Sequence, residues 1–291
     1  TYDADNEMDV STNIYSNELV GGGLAVSALG LFPSTCGGNF DLTGEFSDPA
    51  NSVIDAAYVV VMARATTASP SIGLTLNSTG FGTNTPRDVD VITAVTHELT
   101  YLWDVTSEIT DPTITSHSFS LSNCGSLTNV FGISLIVVYA DTDETTATRI
   151  SINVGCEGLW DIWMTSPYGF AEFNETLNSG PGYQVQLMGA LGDPNTDSYL
   201  GFESVDIVNT GDIFNAANGL SCTWYESPLF AYGGGTGVQV LNYYPGTDAN
   251  EVIWGVAALL APVNLATPTP EPTPTATSSP AGVITVSDVQ G

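Results

Sequence analysis

The sequence predicts an all-β protein, a large β-sandwich or jelly-roll-like domain, from three observations. Short runs of β-branched and aromatic residues recur along residues 1–265. Gly, Pro, Asn and Asp crowd between them, as at Gly21, Gly22 and Gly23, at Gly37 and Gly38, at Asp193, Pro194 and Asn195, and at Gly233, Gly234 and Gly235. No stretch carries the 3.6-residue apolar period of an amphipathic helix. Many short strands separated by turn residues are the pattern of a sandwich.

The candidate strands follow in order at 57–65, 72–76, 89–95, 114–121, 133–139, 150–154, 183–188, 238–243 and 252–260. The run 114–121 alternates partly between polar and apolar residues, as a half-exposed strand should. The runs 58–62 and 133–139 are continuously apolar, which suits central strands buried on both faces. One large domain over 1–265 is the expectation, with a subdivision near 155 as the alternative. The longest apolar stretch, 252–263, is too short and interrupted to span a bilayer, so no membrane insertion is expected.

At 266 the composition changes. Residues 266–280 form a Pro/Thr-rich linker, and 281–291 carry one strand-length β-branched segment: Val283, Ile284, Thr285, Val286, Ser287 and Val289. Fully extended at ~3.1 Å per residue, residues 267–280 reach about 43 Å, close to the diameter of a domain this size. A lone strand has no sheet of its own. It pairs with its own domain, pairs with a neighbour by strand addition, or begins a further domain.

Charge narrows the partners. The chain has 32 Asp and Glu against 3 Arg and Lys, for a net charge of −29, and its only cations are Arg64, Arg87 and Arg149. Such a surface repels phosphate backbones and anionic lipids, so nucleic acid is not an expected partner. Hydrophobic residues make up 43% of the chain, enough for a core despite the charge. The four cysteines, Cys36, Cys124, Cys156 and Cys222, are dispersed without a C-x-x-C pair. They fit two disulfides of open connectivity in an extracellular compartment better than a metal cluster. The polar start, Thr1 to Glu7, is read as a mature N-terminus after removal of a secretion signal.

Catalytic motifs fail on inspection. His97 and Glu98 open an H-E-x-x-H pattern, but Tyr101 stands where the second histidine belongs. There is no G-x-S-x-G elbow or phosphate loop, and without lysine there is no Schiff-base chemistry. The chain is therefore not expected to be an enzyme, and a secreted hydrolase is the least favoured alternative. No cofactor is required, although Ca²⁺ fits the acid-rich turns. The candidate ligands are Asp193, Asn195 and Asp197, then Asp141 and Asp143, with a further acid run at Asp3, Asp5, Glu7 and Asp9. Asn77 and Asn174 match the N-glycosylation pattern, and Trp160, Trp163, Tyr168, Trp224 and Tyr225 could stack on glycans.

The segment Gly132-Ile-Ser-Leu-Ile-Val-Val-Tyr-Ala-Asp141 resembles the G-x-S-L-V-V-V-Y-x-D segment of a largely uncharacterised β-rich domain. That domain occurs in secreted and cell-surface proteins of methanogenic archaea and of filamentous or Gram-positive bacteria. Residues 57–65, 102–106 and 212–218 are similar to further parts in the same order, so the resemblance spans about 45–262. It implies an exported β-sandwich and no catalytic residues. The chain departs from the pattern at Asn153, Val154, Gly155 and Cys156, and in its single strand after the linker. Taken together, the expectation is a self-assembling structural subunit of an extracellular filament, pilus-like fibre or sheath. It would polymerise head-to-tail by inserting 283–289 into the next subunit. A stalked adhesin or carbohydrate-binding module is the alternative.

Overall fold

The computed structural model describes residues 10–31, 35–93, 95–159, 169–191, 198–208, 213–214, 222–244 and 252–263. The linker, the 281–291 segment, the acids at 3–9, the trio Asp193, Asn195 and Asp197, and the aromatics Trp160, Trp163 and Tyr168 lie outside these residues.

Nineteen strands are described: β1 (Thr12–Val20), β2 (Gly23–Gly30), β3 (Gly37–Asp41), β4 (Ser52–Ala65), β5 (Ile72–Leu76), β6 (Thr79–Asn84), β7 (Asp88–Thr93), β8 (Thr96–Asp104), β9 (Ser116–Ser122), β10 (Asn129–Asp141), β11 (Ala147–Leu159), β12 (Gly169–Leu177), β13 (Gly180–Ala190), β14 (Tyr199–Phe202), β15 (Val205–Val208), β16 (Cys222–Glu226), β17 (Phe230–Tyr232), β18 (Gly235–Tyr244) and β19 (Val252–Val263). One 3-10 turn at Cys124–Ser126 is the only helical element among the described residues.

The strands form four antiparallel sheets. The first inner sheet runs β2-β10-β4-β8-β7 and is covered by the outer sheet β3-β9-β5-β6. The second inner sheet runs β1-β11-β19-β13-β16, with β17 also on β13, and is covered by the outer sheet β12-β18-β14-β15.

Side-chain alternation explains how these sheets stack. In β4, Val59, Val61 and Ala63 face the first outer sheet with Phe40, Ile72 and Phe119. Their neighbours Val60 and Met62 face the other way, into an apolar layer shared with Ile150, Ile152, Met188 and Val256 of the second inner sheet. On the far side of that sheet, Trp254, Ala257, Tyr183 and Val185 pack on Phe173, Phe202, Leu241 and Tyr243. The molecule is thus two sandwiches joined back to back. With ~10 Å between stacked sheets, about 30 Å separates the outermost pair.

Both runs read as doubly buried are central strands of an inner sheet, and 114–121 falls on β9, which alternates strictly between exposed and buried residues. Residue 155 lies inside β11. The change of sandwich comes instead between Asp141 and Ala147, and β1 joins the second sandwich across the chain. Gly37 and Gly38, read as a turn, begin β3 by pairing with Ser120 and Phe119, where absent side chains leave room for the Phe119 ring.

Two disulfides were expected, and the described residues hold one. Cys36 and Cys124 are bonded, whereas Cys156 and Cys222 are buried thiols. Each is held by different surroundings. Cys156 lies near Glu98, Asp90 and Thr100, and Cys222 packs against Gly132 of the facing sheet. Burial pushes both thiols well up from the ordinary range, so they are chemically quiet.

Candidate functional site

Four sheets give several edges, and an edge is where a β protein either protects itself or recruits another strand. Side chains cover some of these edges. β1 pairs with β11 only as far as Val154. Beyond it, the N–H groups of Cys156 and Gly158 donate to Asp88 Oδ2 (3.1 Å) and Asp90 Oδ2 (2.8 Å). The two acids are two residues apart on β7 and so lie on one face, matching two amides at the same spacing. Burial raises the Asp88 carboxyl, partly offset by the bonds it accepts from Val89 and Cys156. Beside them Glu98 is fully buried and accepts from Arg64 Nε (2.6 Å), while Arg64 lies over the Phe131 ring. Tyr101 is buried and donates to the Pro70 carbonyl (2.9 Å). Glu98 and Tyr101 of the broken H-E-x-x-H pattern are therefore engaged in pairing and packing.

Other edges differ in kind. The Asn153 side chain donates to the Glu172 carbonyl of β12. β2 of the first inner sheet lies against β16 of the second. β6 is short, polar and glycine-containing.

The outer edge of β1 is different. It is nine residues long and flanks the second inner sheet. Gly21 N–H donates to the Thr146 carbonyl (2.7 Å), which fixes the ladder phase: Leu19 and Asn17 point their backbone groups toward β11. By alternation Ser16, Glu18 and Val20 point theirs outward. Among the described residues no strand pairs with that side; only the Glu18 N–H is held, by its neighbour Asn17 Oδ1 (2.9 Å).

The side chains of β1 are anchored in both directions. Tyr15 donates to Asp55 Oδ2 (2.6 Å) and Tyr58 to the Ile14 carbonyl (3.3 Å) in the first sandwich. Ser16 donates to Glu175 Oε1 (2.5 Å), and Arg149 bridges Glu18 and Glu175 on the opposite face. These contacts hold β1 from both faces, although its pairing with β11 shifts register between Asn13 and Tyr15.

Asp141 and Asp143, singled out as cation ligands, do meet. They share a hydrogen bond that holds Asp141 below the usual carboxylate range and Asp143 above it, with Ser47 donating to Asp141 Oδ2 (2.8 Å). Asn51 Nδ2 bridges Asp48 Oδ2 (2.9 Å) and Asp143 Oδ2 (3.2 Å). Asp48 and Asn51 were not anticipated, because they come from a turn some ninety residues away; the Asp48-Pro49 turn signal was their only trace. Gly21 closes over this site, with its carbonyl accepting from Asp141 N–H (3.2 Å) and a φ of +57°. A Cβ there would lie 2.6 Å from the Asp141 carbonyl oxygen. Among the described residues, no three His, Cys, Asp or Glu side chains converge to hold a metal.

The two glycosylation candidates differ. Asn77 sits at φ +48° in a two-residue hairpin turn with Ser78. Its Nδ2 donates to His117 Nδ1 (3.0 Å) and its Oδ1 accepts from Ser118 N–H (3.1 Å), so its amide is locked. Asn174 is exposed on the edge strand β12. Trp224, read as a possible sugar platform, donates its indole N–H to Gln186 Oε1 (3.1 Å).

The family described as Protein of unknown function (DUF3344) matches residues 5–251. A search among curated proteins finds no match. Two solved structures are similar at low level. The conserved protein of unknown function PA5104 from Pseudomonas aeruginosa PAO1 is 8% identical with a TM-score of 0.30, covering 84% of this chain and 83% of that one. The major capsid protein P2 of bacteriophage PM2 is 10% identical with a TM-score of 0.24, covering 84% of this chain and 99% of that one. Neither likeness supports an inference about function.

Proposed function

We propose that this chain, which belongs to that family of proteins of unknown function, is an extracellular structural subunit. It assembles by adding residues 283–289 to a sheet edge of a neighbouring copy. The observation that carries this reading is the long outer edge of β1, with which no strand pairs among the described residues, in a chain whose sequence adds a strand-length β-branched segment after the linker. Strand addition joins the two through main-chain hydrogen bonds, and alternate side chains supply specificity. One such contact per subunit is heterologous, and heterologous contacts that do not close into a ring propagate as fibres.

The stack supports a load-bearing role. Its two inner sheets are covered on both faces, and the disulfide ties together positions 88 residues apart. The disulfide also favours an oxidising, extracellular location. Calcium belongs to the proposal as a reinforcement at Asp141 and Asp143, with main-chain carbonyls and waters completing its six to eight oxygens. Millimolar calcium should then raise the melting temperature, and Asp143→Asn should remove that response; no response in the parent chain would dismiss the ion. Glycans, if attached, fit Asn174 rather than Asn77.

Sedimentation velocity tests the main reading. The full chain should shift to larger species with concentration, and deletion of 266–291 should leave a folded monomer. A full chain that stays monomeric at all concentrations argues for the adhesin alternative, which would keep its ligand after the deletion.

A further inference from the structure

Resting on that reading of the 283–289 segment as a donor strand, we infer that its acceptor is the outer edge of β1 in a second copy, in antiparallel register with Val286 opposite Asn17. Three observations support it: the backbone phase of the edge, the two faces of β1, and the place where the described chain leaves the fold.

The phase comes first. Ser16, Glu18 and Val20 direct their N–H and C=O groups away from β11. An antiparallel strand with Val286 opposite Asn17 puts Ser287, Thr285 and Val283 opposite these three, as the hydrogen-bonded pairs. Asn17 Oδ1 now holds the Glu18 N–H, a local bond that side-chain rotation releases to an incoming carbonyl.

The faces agree with this register. Tyr15 and Leu19 of β1 pack toward the apolar layer between the inner sheets. Ser16 and Glu18 lie on the opposite face, with Glu175 and Arg149. In the donor, Ile284 and Val286 are two apart and fall on the Leu19 side, extending the apolar layer by one strand. Thr285 and Ser287 fall beside Glu18 and Ser16, extending the polar face. A shift by one residue would put Ile284 and Val286 against Glu18 and Ser16, which the pleat penalises at every position.

The exit point argues for a neighbour. Val263, the last residue of β19, is in one row with Ala147 and Val20, so β19 leaves the sheet only two strands from β1. A donor on the outer side of β1 would lie one strand farther out, about 14 Å from β19. A Pro/Thr linker reaching about 43 Å is several times longer and resists folding back so sharply. It fits a span from one subunit to the next.

Cross-linking of the full chain tests the assignment. Asn17 and Val286 form a non-hydrogen-bonded pair in this register, with Cα atoms about 4.5 Å apart, inside the range a disulfide bridges. Two full-length variants, Asn17→Cys and Val286→Cys, are mixed under mild oxidation and run without reductant. The buried Cys156 and Cys222 remain as background. A band at twice the chain mass, formed only in the mixture and suppressed by an excess of synthetic peptide 281–291, is the expected result. Thr83→Cys on β6, mixed with Val286→Cys, should give none. Assembly by sedimentation without the Asn17→Cys band overturns β1 as acceptor while leaving strand exchange standing. A fast-migrating monomer from a chain carrying both substitutions, with no dimer, overturns exchange between copies in favour of self-docking. Absence of both assembly and cross-link overturns the inference together with the function it rests on.

Discussion

His117 shows how a single residue is fixed by its partners. Its Nε2 faces the Ile114 carbonyl (2.9 Å), which can only accept, so Nε2 carries the proton. Nδ1 then accepts from Asn77, whose orientation is set by the Ser118 N–H. Burial is the main cause that lowers the imidazole below its ordinary value, against the Ile114 carbonyl and the Glu108 charge, which act in the opposite sense. The neutral ring is favoured on folding, so its stabilisation is present above about pH 6.5 and is lost as pH falls through the lowered folded value. Asn77→Asp, which offers an acceptor and a negative charge to Nδ1–H, should raise the His117 midpoint in an NMR titration; a lowered or unmoved midpoint would refute the Asn77–His117 contact. Asp88 has the opposite sign: its raised carboxyl binds a proton more readily when folded, so acidification eases its burial. Its neighbour Asp90 gives a second prediction at this scale. Asp90→Ala leaves the Gly158 N–H without its carboxylate and should cost about 1–3 kcal/mol in urea unfolding. A cost near zero would mean that another group takes over the amide. None of these partnerships was legible in the sequence, because each joins residues far apart in the chain through a fold that must be known first. Asp141 and Asp143 were legible as a local pair, but Asp48 and Asn51 were not.

Strands were legible where packing imposes one of two patterns. β9 alternates because one face is core and the other is exposed, and β4 and β10 are continuously apolar because sheets cover both faces. β1, β3, β6 and β12 were not anticipated. Their apolar positions are diluted by Asn, Gly, Glu and Thr, since they lie at sheet edges where one side of the strand meets no neighbour. β8 was hidden by its charged and aromatic mixture, His97 to Asp104, although it lies within an inner sheet. The glycines were read only as turns, yet Gly132 is internal to β10, where it lets the two inner sheets approach. A Cβ there would meet Cys222 Cβ at 1.9 Å. Gly132→Ala should therefore destabilise by about 1–3 kcal/mol through overpacking, and adding Cys222→Gly should recover part of the loss. Additive costs in the double variant would show that the two residues do not compete for that space.

At the scale of the whole molecule, two facing sandwiches share a third apolar layer, so the described residues form a four-sheet slab. The acidic composition gives such slabs mutual repulsion in solution. The proposed strand contact is directional and would overcome that repulsion locally, whereas diffuse association would not. The all-β architecture was legible in the turn rhythm, but the back-to-back stacking was not, since nothing in a single strand says which sheet covers its second face. Electron microscopy of the full chain at high concentration with calcium tests strand exchange between copies. Exchange should give fibres one subunit wide with a regular axial repeat, absent from the Thr285→Pro variant, which removes a main-chain donor of the exchanged strand without touching the slab. Fields of separate particles from the full chain, or fibres that persist unchanged in Thr285→Pro, would contradict it.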